Sequence, residues 1–196
     1  LRVADPVEQA ALRKPRADAE RNRLRLLEAA KAAFAEKGAG ASLDEIARSA
    51  GVGAGTLYRH FPTRDALIEA VYRKESAQLI GSAAHLSETR APLAALRDWL
   101  VLFVDYLATK RDMAEALNSF VGGVSDLQSA SSIQVKQAIS DLVDRAVRTG
   151  DIRQDVDPLD LLRALAGVAT IGVGPDGEMA AKRMVDILIA GLRADR

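Results

Sequence analysis

The chain contains no cysteine. That removes disulfides, thiolate nucleophiles and cysteine-based zinc sites together, and it is compatible with a reducing compartment. Histidine is nearly as scarce: His60 and His85 are the only two, and they offer little for a metal site or a catalytic base. No apolar run reaches the roughly 18 residues of a membrane span, and no signal-peptide segment opens the sequence. Nor does any glycine-rich loop follow a strand, as a nucleotide-binding loop must. These absences set the first expectations: a soluble, cytoplasmic, non-enzymatic protein with no catalytic residues, no metal and no cofactor. Aromatic residues are also sparse, at 4%. Sheets are disfavoured by that scarcity.

What is present favours helices. Ala, Leu, Arg and the acidic residues recur throughout, and 196 residues suffice for one large domain or two small ones. The fold class expected is all-α. Net charge is zero, with 27 basic and 27 acidic residues, but the balance is uneven. From Arg13 to Arg64 there are eleven Lys/Arg and six Asp/Glu, a net of +5, which leaves −5 on the remainder. A basic N-terminal quarter therefore precedes an acidic body.

Residues 1–17 hold two prolines and no sustained period, and are expected to form a flexible basic arm. From Asp18, a potential N-cap, Leu24, Leu27, Ala30 and Phe34 share a helical face that stops at Gly38. Ser42 with Glu45 three residues later forms a capping-box pattern opening a helix of about two turns. It ends at Gly51. After "VGAG" comes a second short helix, "TLYRHF", and Thr63 then caps a long one. Pro92 opens a strongly apolar helix, "RDMAEALNSFVG" a shorter one, and "GGVSDLQSASS" reads as a loop before a helix closing at Gly150. Two last helices run from Pro158 to about Gly172 and from Glu178 to about Arg193. The count is about nine. The domains expected are the arm at 1–17, a domain of short helices at 18–62 and a helical body at 63–196.

Two short helices joined by a glycine turn in a basic region make a helix-turn-helix, whose second helix lies in the DNA major groove. Ala47 is small where the helices would cross, and Ile46, Val52, Leu57 and Phe61 can supply their apolar faces. The stretch "ASLDEIARSAGVGAGTLYRHFPTRDALIEAVYRKE" resembles the DNA-binding signature of the tetracycline-repressor (TetR) family of bacterial regulators. The family's Gly-x-x-x-Leu-Tyr-x-His-Phe-Pro core stands here as Gly53 to Pro62, and the match runs from about Asp18 to Glu75. The resemblance implies a homodimer that binds double-stranded, palindromic operator DNA and is released by a small-molecule effector of unknown identity.

By that resemblance Thr56 faces the groove, Leu57 packs inward and Tyr58 reaches the DNA backbone. Gly53, Ala54 and Gly55 open the recognition helix, whose N-terminal amides favour phosphate, and Arg59 lies beside Tyr58. Ser42, His60, Thr63 and Arg64 are further phosphate candidates, and Arg16, with Arg13 and Lys14, is placed to reach a minor groove. Each has a structural alternative: Tyr58 as a core aromatic, His60 as a packing residue, Ser42 and Thr63 as caps, the arm as a solvated tail.

In the body, Trp99, Phe103, Tyr106, Met113, Leu117 and Phe120 concentrate the large apolar side chains. They suit an effector pocket between helices, or a core stripe. Asp98 and Asp105, seven apart on one face, suit a cationic ligand or solvent. From Leu159 to Val173 only Asp160, Arg163 and Thr170 are clearly polar, and the last helix confines Glu178, Lys182 and Asp186 to one row. Two such helices from each chain would form a four-helix dimer interface through Leu161, Leu165, Val168, Met184, Ile187, Leu188 and Gly191. The remaining alternatives are a helical adaptor that binds only protein, and an enzyme.

Overall fold

The computed structural model describes residues 6–119, 124–171 and 175–194. Among the described residues there are nine α-helices and no strand: α1 (Pro6–Lys37), α2 (Leu43–Ser49), α3 (Ala54–His60), α4 (Arg64–Thr89), α5 (Pro92–Asp112), α6 (Ala114–Asn118), α7 (Val124–Arg148), α8 (Pro158–Ile171) and α9 (Pro175–Leu192). A 3-10 turn, Gly38–Gly40, follows α1. None of the described helices is long and apolar enough to cross a membrane.

Two boundaries differ from the sequence expectation by more than a few residues. The helix expected from Asp18 begins at Pro6, so Asp18 lies inside α1, where it pairs with Arg21. Apolar periodicity marks a buried face, and a helix rich in Ala, Arg and Glu can extend beyond the part that buries anything. The stretch read as a loop after Gly123 is helical from Val124. Its Ser, Asp, Gln and Ala residues are tolerated within helices, unlike Gly or Pro.

The chain divides into two compact units, one running to Val71 and taking in Asp112–Gly122, the other made of Tyr72–Arg111 and Gly123–Arg196. The first therefore extends past Pro62 and includes α6. Its core is built from Leu26, Leu27, Ala30 and Phe34 of α1, Ile46 and Ala47 of α2, and Leu57 of α3. Leu67, Ile68 and Val71 of α4 are also buried, as are Met113, Ala116 and Leu117. Leu24, expected on the inner face of α1, is 42% exposed, and Leu26 is buried instead.

The second unit packs α5, α7, α8, α9 and the later part of α4 around Trp99, Leu96, Leu100, Ile139, Leu142, Leu165 and Val185. An antiparallel bridge between Ile152 and Arg193 ties the α7–α8 connection to the end of α9. It carries bonds from Arg153 N–H to the Leu192 carbonyl (3.0 Å) and from Ala194 N–H to the Asp151 carbonyl (3.3 Å). Ion pairs join α5 to α9, Arg97 to Asp186 at 2.7 Å and Lys182 to Asp105 at 2.6 Å, and within α9 Lys182 also meets Glu178 at 2.7 Å. The Lys182 ammonium is held above the usual lysine range, first by its hydrogen bond to Asp105 and then by that to Glu178.

Gly38 ends α1 with φ at 51°, and a Cβ there would fall 2.1 Å from Oε2 and 3.0 Å from Cβ of Glu115 on α6. Gly38→Ala is expected to cost about 1–2 kcal/mol for the left-handed backbone alone, read as a fall in the denaturation midpoint. Adding Glu115→Ala should recover only the steric part of the loss.

Candidate nucleic-acid interface and inner cavity

The turn between α2 and α3 follows from Gly51. Its φ of 68° is a conformation L-residues rarely adopt, and it ends α2 with two bonds of a Schellman motif. Gly51 N–H donates to the Arg48 carbonyl at 3.0 Å, and Val52 N–H to the Ala47 carbonyl at 3.0 Å. Ala47 is buried at this reversal, in keeping with its small size. Gly53 then caps α3 in extended conformation and accepts from Thr56 N–H at 2.9 Å.

Leu57 is fully buried, contributing about 1.5–3 kcal/mol by the usual burial scale, while its neighbour Tyr58 is 47% exposed. That pair sets the rotation of α3 about its axis. Ala54, Gly55 and Arg59 are exposed with Tyr58, Thr56 and His60 are half-buried, and Phe61 is buried. The core-aromatic alternative for Tyr58 is thereby excluded. A Cβ added at Gly53 or Gly55 would meet nothing within 4 Å, so packing within the chain does not require glycine at either position.

The surrounding candidates divide. The Ser42 hydroxyl makes no capping bond, although the residue stands at the N-cap of α2. Glu45 completes the other half of the box: its carboxyl is held below the usual range, first by Lys37 at 2.9 Å and more weakly by the Ser42 backbone. Thr63 is an N-cap in fact, its hydroxyl accepting from Ala66 N–H at 3.0 Å. Arg64, expected on phosphate, is committed to the fold. Its guanidinium donates to the carbonyls of Gly38 (3.1 Å), Ala39 (2.8 Å) and Ala41, and lies 5.2 Å from the centre of the Phe34 ring. Arg16 lies on α1, with its side chain outside the described residues.

In the second unit a cavity of about 340 Å³ opens between α4, α5, α7 and α8. Tyr72, Phe103 and Tyr106 form an aromatic wall, and Leu107, Val135, Leu159, Leu162 and Ala166 an aliphatic one. Lys110, Ser132, Lys136 and Arg163 supply the polar lining. Tyr106 donates to the Tyr72 hydroxyl at 3.1 Å and lies 3.4 Å from Ser76 Oγ. Burial pushes the Tyr106 phenol well above its ordinary range, so it stays neutral.

Of the six residues expected around a ligand, Phe103 and Tyr106 line this cavity. Trp99 does not: its indole is fully buried, stacks on Phe103 with centroids 5.9 Å apart and donates to the Leu79 carbonyl at 2.9 Å. Met113 and Leu117 are core residues of the first unit, and Phe120 lies outside the described residues. Helical spacing does not distinguish a stripe that fills a core from one that lines a hollow. Tyr72, Lys110, Lys136 and Arg163 were missed because they come from separate helices with no shared motif. Asp98 and Asp105 are not open to a cationic ligand: Asp98 is paired with Arg90 and Arg97, and Asp105 with Lys182.

Among the expected interface residues, Leu161 and Leu165 are buried in the chain's own core. Val168, Met184 and Leu188 are half-buried and Gly191 is exposed. Ile187 is 63% exposed, as is Ile171 at 85% and Met179 at 51%.

A glycine-turned helix pair with an exposed second helix, joined to a separate helical unit with its own cavity, defines the class of helix-turn-helix transcriptional regulators. Residues 26–71 match the family described as bacterial regulatory proteins, tetR family, and residues 91–194 match the SbtR-like transcriptional regulator C-terminal domain. The chain belongs to the TetR family of transcriptional regulators. A TetR transcriptional regulator from Streptomyces coelicolor is similar in structure, at 43% identity and a TM-score of 0.81, over 89% of this chain and 99% of that one. The transcriptional regulator UidR of Escherichia coli K12 is 33% identical over 91 residues, 46% of this chain. The chain thus spans about two fifths (41%) of the length of that relative. The transcriptional repressor KstR2 of Rhodococcus jostii is 25% identical over 87% of this chain and 90% of its own.

Loss of the Arg64 guanidinium leaves three carbonyls short of a donor. Arg64→Gln should therefore lower stability by about 2 kcal/mol, seen in chemical denaturation of the free protein, with Arg64→Lys intermediate.

Proposed function

We propose that the chain is an effector-responsive repressor that binds palindromic operator DNA as a homodimer, with α3 in the major groove. The observation that carries this reading is the outer face of α3. Tyr58 is exposed to 47% beside Gly53 and Gly55, whose missing side chains the chain's own packing does not explain. A close-approaching external surface does explain them, since glycine lets backbone amides reach phosphate. Thr56, Tyr58, Arg59 and Ser42 are the side chains assigned to DNA; His60 is a flanking candidate and Arg64 is left to the fold. Repression is supported by likeness to a protein named as a repressor.

The dimer interface assigned is the surface of α8 and α9 that carries Ile171, Met179 and Ile187, with Val168, Met184, Leu188 and Gly191 around it. A second copy is the occupant that fits: a single helical pair offering three large exposed apolar side chains suits an isologous four-helix contact. The cavity in the second unit is assigned to the effector. A ligand there lowers DNA affinity only through a difference in affinity between two states of the protein.

Genomic fragments selected by the purified protein supply the operator for the test. Thr56→Ala and Tyr58→Phe should each weaken binding by about 1 kcal/mol or more, roughly fivefold, without loss of helicity. Unchanged affinity in both variants rules out the assignment of α3. Wild-type binding should also fall linearly in log affinity against log salt with a slope of several units.

Ile187→Glu should turn a dimer into a soluble monomer that binds half-sites only weakly, as read by analytical ultracentrifugation. A wild-type chain sedimenting as a monomer at micromolar concentration would defeat the interface.

A further inference from the structure

We propose that the cavity of the second unit is built for a small organic anion, a carboxylate on a compact apolar body. This names the chemical class of the effector and rests on the assignment of that cavity to effector binding. Three cations line the cavity, Lys110, Lys136 and Arg163, and no carboxylate does. Arg163 is already shared with Asp160 at 2.8 Å and Asp157 at 3.9 Å. Lys110 on α5 and Lys136 on α7 differ: among the described residues neither has an ion pair or hydrogen bond.

Several cations elsewhere in the same unit are matched, although Arg148 and Arg183, which do not line the cavity, have no ion pair or hydrogen bond among the described residues. Lys182 holds Asp105 and Glu178, Arg97 holds Asp186, and the Arg145 guanidinium donates to the Arg90 carbonyl. Two unmatched lysines at one apolar hollow leave a positive field with no compensating group among the described residues. Lys110 is half-buried and Lys136 exposed at the mouth, so the apolar walls reduce the screening chiefly at Lys110.

The neutral groups agree with the charges. Tyr72, whose hydroxyl accepts from Tyr106 and has its own proton to give, and Ser132 bring hydroxyls that can donate to an oxyanion, and the aliphatic residues Val135, Leu159 and Leu162 accept an apolar body. A cationic ligand would meet the two unpaired lysine charges, and a purely apolar one would leave both lysines unused. The volume, about 340 Å³, lies at the lower end of ligand sites, roughly 300–1,000 Å³. It suits one or two rings or a medium-length chain.

The test compares one apolar body with three head groups by calorimetry on the full chain: 2-naphthoate, 2-naphthylmethanol and 2-naphthylmethylammonium. The expected result is naphthoate binding about tenfold tighter than the alcohol, the usual gain of a charge-assisted bond, with the ammonium weakest. In Lys110→Gln/Lys136→Gln naphthoate should fall to the affinity of the alcohol, whose own binding is unchanged; Lys→Arg at both positions should restore the preference. Ala166→Phe, which fills the cavity, should abolish naphthoate binding. The proposal is overturned by absence of naphthoate binding at millimolar concentration, by alcohol or ammonium binding as tightly, or by a preference that survives the double Gln variant or the filled cavity. Operator retardation is measured separately on the same samples. A chain that binds its operator but prefers the alcohol overturns the anion class alone. One that prefers the anion yet never binds DNA supports the anion site and overturns the regulator reading.

Discussion

The Arg64 guanidinium is the contact on which the helix-turn-helix unit depends. It sits over Phe34 and donates to carbonyls of Gly38, Ala39 and Ala41, joining the start of α4 to the segment between α1 and α2. Those carbonyls lie where a helix ends and its acceptors run out of intrahelical partners. One planar cation with several donors satisfies them together, which a lysine point charge does not do as well. Because α2 follows within a few residues, fixing this junction also fixes the base on which α3 is turned.

From that base the path to function is short. Gly51 reverses the chain, Leu57 anchors α3 by full burial, and Tyr58 is left outside as a consequence. Local chemistry made this much readable in the residue order. A glycine at the required positive φ, an N-cap threonine and an inward leucine each act within a few positions of one another, so spacing alone reports them. The role of Arg64 was not readable in this way, since its acceptors lie 23 to 26 residues earlier in the chain. A basic residue after Pro62 and Thr63 looks the same in sequence whether it meets phosphate or carbonyl oxygen.

The second unit shows the same limit more strongly. Its helices were legible because apolar periodicity is a local property, yet which apolar residues fill the core and which border the hollow was not. Trp99 and Phe103 lie four apart and stack on one another, but only Phe103 lines the cavity. Asp105 reads as a free carboxylate on α5 until α9 supplies Lys182. The residue order of α8 and α9 shows an apolar surface over a wide arc. How that arc divides between the chain's own core and an outward face depends on neighbours that the sequence does not name: Leu165 went inward, and Ile187 stayed outside.

The membership of α6 in the first unit has a further consequence. The chain enters the second unit at Tyr72, returns at Asp112 and leaves again at Gly123, so three covalent crossings link the units instead of one hinge. A fragment that stopped before α5 would keep every helix of the DNA-reading motif but would lose Met113, Ala116 and Leu117 from its core and the Glu115 side chain beside Gly38. The first unit is thus not a detachable module. A segment encoded between α5 and α7 is part of that unit's interior, which makes its integrity a property of the whole polypeptide.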